Sequence, residues 1–141
     1  MIWEKSCGAL VVRREENNYF ILMIRHKAGG NRSFPKGHME EGESEYATAL
    51  REVKEETSSH IAIMSDFRET VTYSPSPGVM KEVVYFLAFT TSPVIHPRAG
   101  EIAEVQWVPL EEAEEQLTHE NDKLVFRAAR KKLQNLSFSI K

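Results

Sequence analysis

The sequence predicts an α/β fold in which a β-sheet is packed between helices. Short apolar runs rich in β-branched residues, bounded by turn residues, are typical of strands. Three other segments are predicted helices, and two of them repeat their apolar residues at three- and four-residue steps, as amphipathic helices do. The chain has 141 residues, of which 41% are hydrophobic and 28% charged. This composition predicts a single domain over residues 1–141 with one core.

The first half of the chain predicts a hairpin, a loop and a helix. The hairpin strands cover residues 7–12 and 19–24, and asparagines suit the turn between them because they tolerate left-handed backbone. After a loop, Pro35 biases Phe34 towards an extended conformation. Ser44 is the predicted N-cap of the helix. The residues at helical spacing that predict its buried stripe are Tyr46, Ala47, Leu50 and Val53.

The second half predicts more strands and two more helices. The predicted strands cover residues 61–64, 67–73, 83–90 and 105–108. Segments rich in proline and glycine, residues 74–78 and 94–100, are predicted loops. The helices cover residues 109–116 and 122–136. The apolar stripe of the last helix is predicted to consist of Leu124, Val125, Ala128, Ala129 and Leu133.

Bulk properties exclude several classes of function. The net charge of −3 argues against a sequence-independent grip on nucleic acid, so no stable nucleic-acid partner is expected. No apolar stretch approaches the roughly 20 residues that span a bilayer, so no membrane partner is expected. Cys7 is alone, which excludes an internal disulfide and favours core packing over a nucleophilic role. We therefore expect a cytoplasmic protein, as a monomer or a homodimer.

The segment Arg51-Glu52-Val53-Lys54-Glu55-Glu56 is the strongest clue to function. On a helix its three glutamates fall within about 100° of arc, on a side away from the predicted packing stripe. Such a cluster repels itself unless a cation neutralises it, and carboxylate oxygens suit Mg²⁺. An isolated Glu-x-x-Glu-Glu is more often a solvated acidic face. Gly37 and Glu43, at defined distances upstream, favour a metal site instead.

These residues resemble the signature of the Nudix hydrolase family, Gly-x5-Glu-x7-Arg-Glu-U-x-Glu-Glu-x-Gly-U, where U is a bulky aliphatic residue. The matching residues are Gly37, Glu43, Arg51, Glu52, Val53, Glu55 and Glu56. Ser58 and Ser59 depart from the last two positions. A left-handed helix end at Ser58 costs on the order of 1 kcal/mol relative to glycine, unless the helix ends differently. The resemblance implies a Nudix-type α/β/α sandwich with a mixed β-sheet between helices.

The resemblance also implies a reaction, the hydrolysis of a nucleoside diphosphate linked to another group X. The implied cofactor is Mg²⁺, with Mn²⁺ as an alternative. The implied metal ligands are Glu52, Glu56, the Gly37 carbonyl and a loop carboxylate, for which the candidates are Glu101 and, as the alternative, Glu104. Glu55 is implied to be a further ligand or the base that activates water, with Arg51 and Glu43 as the supporting ion pair.

The segment Phe34-Pro35-Lys36-Gly37-His38 resembles the entry to this signature in the diadenosine tetraphosphate hydrolase branch. Residues 6–9, 84–88 and 101–107 resemble the same branch. The implied reaction is asymmetric cleavage of diadenosine tetraphosphate into ATP and AMP. The candidates for binding this small-molecule nucleotide are Lys36, His38, Lys81 and Arg25 for the phosphates, and Tyr85 and Tyr73 for stacking on adenine.

Other interpretations stay open at this point. The group X can differ, which would give a nucleoside triphosphate, RNA 5′-end or nucleotide-sugar pyrophosphatase. The same fold can also serve as a non-catalytic nucleotide-binding sensor, or the acidic helix can belong to a plain structural domain. The histidines outside the signature show no ligand-like spacing and are expected at the surface; they are His26, His60, His96 and His119.

Overall fold

A computed structural model describes residues 1–140, with side chains described up to residue 136. Within this range the chain forms seven strands and three helices. The strands are β1 (Ile2–Glu15), β2 (Asn18–His26), β3 (Arg32–Ser33), β4 (Lys36–His38), β5 (Ala62–Ser76), β6 (Val79–Phe89) and β7 (Ile102–Pro109). The helices are α1 (Glu45–Thr57), α2 (Leu110–Gln116) and α3 (Glu120–Ile140).

Strand β1 is the centre of a mixed sheet. Strand β6 runs parallel to it along one edge, from Ile2↔Val79 to Val12↔Phe89. The other edge is shared, because β4 pairs antiparallel with the first half of β1 and β2 with the second half. Antiparallel β5 extends the sheet beyond β6, and β3 and β7 extend it beyond β2. The predicted mixed sheet is confirmed.

The two faces of the sheet pack against different helices because strand side chains alternate. Leu10 and Tyr85 belong to the core cluster shared with α2 and α3, whereas Cys7 and Val84 belong to the cluster shared with α1. The sheet is therefore enclosed by helices on both faces, as predicted. The buried Cys7 thiol has its pKa raised to about 11, mainly by burial, which fits its predicted place in the core.

The predicted strands are present, but several boundaries differ. The two strands predicted at residues 61–64 and 67–73 are one strand, β5, with an irregularity between Met64 and Arg68. Strands β3 and β4 were not predicted, because two or three residues carry no readable periodicity. Strand β4 approaches β1 closely at Gly8, where a Cβ would overlap the Pro35 carbonyl.

Helix α1 begins as predicted, since Ser44 Oγ accepts a hydrogen bond of 3.0 Å from Ala47 N–H. Its predicted buried stripe was wrong, however. Tyr46 and Leu50 are each 43% exposed, and of the predicted stripe residues only Val53 is buried. The buried residues are Thr48, Ala49, Glu52, Val53, Glu56 and Thr57. The helix is rotated so that two of its glutamates face β4 rather than solvent.

The last helix shows a smaller departure from prediction. Val125, Ala129 and Leu133 are buried, but Leu124 is 57% exposed and Phe126 takes its place in the core. The apolar face of α3 is thus largely as predicted, with Phe126 in the place expected for Leu124.

Helix α1 ends directly after Glu56 and Thr57. Ser58 is its C-cap in the left-handed conformation (φ +66°), and Ser58 N–H donates to the Lys54 carbonyl at 2.8 Å. Serine therefore occupies the conformation that the family signature reserves for glycine. Ser59 is 3% exposed, and among the described residues its hydroxyl has no hydrogen-bond partner.

Candidate functional site

Arg51 joins the loop before α1 to the acidic face of that helix. Its Nε donates to Glu43 Oε2 at 2.6 Å and its Nη2 to Glu43 Oε1 at 2.9 Å. The same Nη2 donates to the His38 carbonyl at 2.9 Å, while Nη1 contacts Glu52 and lies 3.3 Å from Glu55 Oε2. The Arg51 hydrogen bonds hold the pKa of Glu43 down at about 2. Arg51 thus organises a loop, strand β4 and two of the three candidate glutamates.

Gly37 lies against Glu52. In β4 it pairs with Cys7 of β1, which fixes its backbone in the sheet. A Cβ at Gly37 would overlap the Glu52 carboxylate. Burial raises the pKa of Glu52 from its ordinary value, against the lowering effect of Arg51. The absence of a side chain at Gly37 is what lets the carboxylate reach the strand.

Glu56 is buried beside Lys36, the first residue of β4, with 2% of its surface exposed. Lys36 N–H donates to its Oε1 at 3.0 Å. Burial, followed by repulsion from Glu52 and Glu101, raises the Glu56 pKa to about 8, although the Lys36 hydrogen bond acts in the other direction. An ionised carboxylate here is therefore costly unless positive charge approaches it.

Glu55 and Glu101 meet at Arg98, in the loop between β6 and β7. Arg98 Nη1 lies 3.5 Å from Glu55 Oε2, and Arg98 Nε lies 3.3 Å from Glu101 Oε2. The alternative loop carboxylate, Glu104, lies elsewhere, because it pairs with Arg25 across β2 and β7 and lines a small separate cleft with it. This geometry favours Glu101 over Glu104.

The donor set of this region fits a hard divalent cation. It offers glutamate oxygens and the Gly37 carbonyl, which are the oxygen ligands that Mg²⁺ prefers. Burial is the main cause of the raised pKa of Glu56, and the Lys36 hydrogen bond and charge offset it only in part. Within the described residues, no three histidine, cysteine, aspartate or glutamate side chains converge in a ready-made metal site. Arg51 instead forms ion pairs with Glu52 and Glu55. Arg98 forms ion pairs with Glu55 and Glu101.

A cavity of about 420 Å³ opens beside this acidic cluster, on the α3 side of the sheet. Lys36 connects the two, since its backbone binds Glu56 while its side chain lines the cavity. The Lys36 ammonium lies 5.9 Å from the centre of the Tyr73 ring. Burial lowers the Lys36 pKa, and Asp122 and Glu56 partly oppose that shift. The other lining residues are His26, Asn31, Ser33, Val71, Val83, Tyr85, His119, Glu120, Asn121 and Asp122.

Tyr85 lines the cavity but is not available for stacking. Its side chain is fully buried, and its ring meets Phe34 edge-on at 6.0 Å between centroids. Its hydroxyl donates to Asp122 Oδ1 at 3.2 Å. Burial raises the pKa of both Tyr85 and Asp122. The expectation that Tyr85 stacks on a base is therefore wrong, and Tyr73 is left as the aromatic wall.

The remaining predicted phosphate-binding residues, Lys81, His38 and Arg25, are not among those that line the cavity. Lys81 pairs with Tyr73 across β5 and β6, and burial, followed by the charge of Lys36, lowers its pKa. His38 is exposed and contributes its carbonyl to Arg51. Arg25 lies in the separate cleft with Glu104, so the structure does not bring it together with Lys36 and the cavity. Strand alternation explains this, because its neighbour His26 faces the cavity instead.

Four residues near the site were not predicted: His26, Arg98, His119 and Asp122. His26 and His119 were expected at the surface; His119 is exposed, as expected, whereas His26 is half-buried. Both line the cavity, and Ser33 Oγ lies 3.3 Å from His26 Nε2. Burial lowers the His26 pKa. The first turn of α3 is brought here by packing of the helix across the sheet. No local pattern in the sequence carries that information.

Comparison with known proteins is consistent with this arrangement. The family model of the NUDIX domain matches residues 4–128. A bis(5′-nucleosyl)-tetraphosphatase (asymmetrical) of Mus musculus is 30% identical over 120 residues, covering 77% of this chain and 81% of that protein. An 8-oxo-(d)GTP phosphatase of Mycolicibacterium smegmatis is 37% identical over 95 residues, or 67% of this chain. The aligned part spans only 29% of that longer protein.

Among solved structures, an Ap4A hydrolase of C. elegans in a binary complex superimposes with a TM-score of 0.85. It is 26% identical, and the alignment covers 94% of this chain and 98% of that one. Within the described residues, no helix combines the length and the apolar composition that a membrane crossing requires.

Proposed function

The chain belongs to the Nudix family of hydrolases, which act on pyrophosphate bonds, and from this premise we propose that it cleaves diadenosine tetraphosphate into ATP and AMP with Mg²⁺. One observation carries the proposal. Lys36 links the acidic cluster to the cavity, through its backbone bond to Glu56 and its side chain beside Tyr73. A phosphate chain lying along Lys36 would have its nucleoside in the cavity and its reacting phosphates at the glutamates.

We assign the metal ligands to Glu52, Glu56, the Gly37 carbonyl and Glu101. When bound, Mg²⁺ would neutralise phosphate oxygens and make a water molecule more acidic. Glu55 is a further ligand or the base that takes a proton from that water. It suits the second role because its side chain is 41% exposed, more than that of Glu52 or Glu56. Arg51 positions these groups through Glu43 and the His38 carbonyl.

Lys36 and Lys81 provide the positive charge for the phosphates. Each has its pKa lowered mainly by burial, so each cation lacks full compensation until an anion arrives. Mn²⁺ is the expected substitute metal. His38, two residues after Lys36 in β4, is exposed and can reach an outer phosphate.

Tyr73 supplies the aromatic face for adenine on one side of the cavity. Asp122, held by the Tyr85 hydroxyl, lies in the polar part of the cavity wall. A carboxylate there repels phosphates, so this wall faces the nucleoside. The predictions of a cytoplasmic location, a single domain and a monomer or homodimer remain predictions.

The test is incubation of the protein with diadenosine tetraphosphate and Mg²⁺, with separation of the products by anion-exchange chromatography. We expect ATP and AMP in equal amounts. Two ADP molecules per substrate, or no turnover, would contradict the proposal. 8-oxo-dGTP in a parallel reaction distinguishes this activity from the one named for the mycobacterial relative.

Glu56→Gln is the matched inactive variant, because the amide keeps the shape of the buried group and its acceptor for Lys36 N–H. We expect a loss of at least 100-fold in kcat with the fold retained. Glu112→Gln, on the exposed side of α2, is the control and should retain full activity.

A further inference from the structure

Arg98 is placed beside the acidic cluster by its backbone rather than by its side chain. Arg98 N–H donates to the Glu56 carbonyl at 3.2 Å, and His96 N–H donates to the Thr57 carbonyl at 2.9 Å. The Arg98 carbonyl accepts from Ile102 N–H at 3.0 Å. These bonds dock the loop on the C-terminal end of α1. The guanidinium is therefore free to change partners without releasing the loop.

The guanidinium bridges two carboxylates that come from different segments. Glu55 belongs to α1 and Glu101 to the loop, and both lie within 3.5 Å of Arg98 nitrogens. The Arg98 side chain is 47% exposed, and those of Glu55 and Glu101 are 41% and 52% exposed. Ion pairs with this exposure are weak, so a divalent cation can displace the arginine at little cost.

We infer that Arg98 is a further substrate-binding residue with two successive partners. In the metal-free protein it holds Glu55 and Glu101 together. If these carboxylates bound a metal, the guanidinium would be released and would bind the phosphate chain, for which its planar, two-donor geometry is suited. The inference rests on the proposed function, since it requires a phosphate chain beside Glu55.

The first test is titration of the metal-free protein with Mn²⁺, followed by electron paramagnetic resonance of free Mn²⁺. Arg98→Ala removes the competing cation, so we expect Mn²⁺ to bind about two- to fivefold more tightly. Arg98→Lys keeps the charge and should bind Mn²⁺ like the wild type. The control is Arg127→Ala, which removes a comparably exposed ion pair, with Glu114, far from the cluster.

The second test is calorimetric binding of ADP in the presence of Mn²⁺. Arg98→Ala should weaken ADP binding about tenfold, and Arg98→Lys should also weaken it because it lacks the two-donor geometry. Unchanged or weaker Mn²⁺ binding in Arg98→Ala would overturn the inference, as would unchanged ADP binding. If Arg98→Ala shows both effects but the wild type does not cleave diadenosine tetraphosphate, only the proposed function is refuted.

Discussion

The Glu52 carboxylate lies directly against the Cα of Gly37, in the space where any other residue would carry its Cβ. One partner is on helix α1 and the other on strand β4, which is paired with the central strand of the sheet. Glycine is therefore needed at this position because it lets the Glu52 carboxylate approach the backbone of β4. Left-handed backbone is not its role, since its φ is not positive.

Gly37→Ala is expected to reduce kcat/KM about 100-fold, because Glu52 must move by about the size of a methyl group. Steady-state kinetics together with a thermal melt will separate this effect from unfolding. Gly78→Ala is the control. Gly78 lies in the β5–β6 turn with φ +78°, and a Cβ there would meet open space. Because alanine is strained at this φ, Gly78→Ala should lower stability but leave the activity of the folded fraction unchanged. Near-normal activity in Gly37→Ala would show that the contact is not needed.

Arg51→Lys is expected to lower kcat at least tenfold. Lysine keeps the charge but cannot bind both Glu43 oxygens and the His38 carbonyl in one plane. The matched control is Arg68→Lys. Arg68 binds both oxygens of Glu45, each at 2.9 Å, and within the described residues it makes no hydrogen bond to Glu52, Glu55 or Glu56. Equal kinetic losses in the two variants would indicate a general effect on stability.

Asp122→Asn is expected to change how stability depends on pH. The raised pKa means that the folded protein holds the Asp122 proton more tightly than the unfolded chain does. The contribution of Asp122 to stability is therefore fully present below its ordinary pKa of 3.8 and is lost as pH rises through the raised value. The asparagine variant lacks this loss, so its Tm at pH 7 should be about 2–5 °C higher than that of the wild type.

The measurement for Asp122→Asn is a series of melts between pH 3 and pH 8. The two proteins should differ least at the acid end. A lower Tm for the variant at pH 7 would refute the prediction.

Ser58→Gly is expected to stabilise the protein by about 1 kcal/mol, because glycine adopts φ +66° without a steric penalty. Urea unfolding will measure this free energy. Ser58→Ala, which keeps a Cβ in the same left-handed conformation, should give no such gain. If alanine stabilises as much as glycine, loss of the serine hydroxyl is the cause.

The sequence predicted the layered fold and the acidic cluster because both depend on local patterns. Apolar runs rich in β-branched residues mark the strands, and fixed spacing joins Gly37, Glu43 and Arg51 to the three glutamates. The rotation of α1 was not predictable in this way. Two of its most hydrophobic candidates, Tyr46 and Leu50, are half-exposed, and Glu56 is buried because the helix meets β4.

The cavity was only partly predictable. Lys36 and Tyr73 were identified from the resemblance, but Asp122, His26 and His119 come together through contacts between distant segments. Arg98 was missed for the same reason. Its position follows from hydrogen bonds between a loop and the end of a helix about 40 residues earlier.

Strand β4 is only three residues long, yet its pairing with β1 decides which residue meets Glu52. Shifting that pairing by one residue would bring the side chain of Lys36 or His38 to the place of Gly37. No residue of β4 itself belongs to either core cluster, but Phe34 shortly before it and Met39 directly after it pack in them, so the core opposes such a shift. The core on both sides of β4 therefore fixes the place of Gly37 against Glu52.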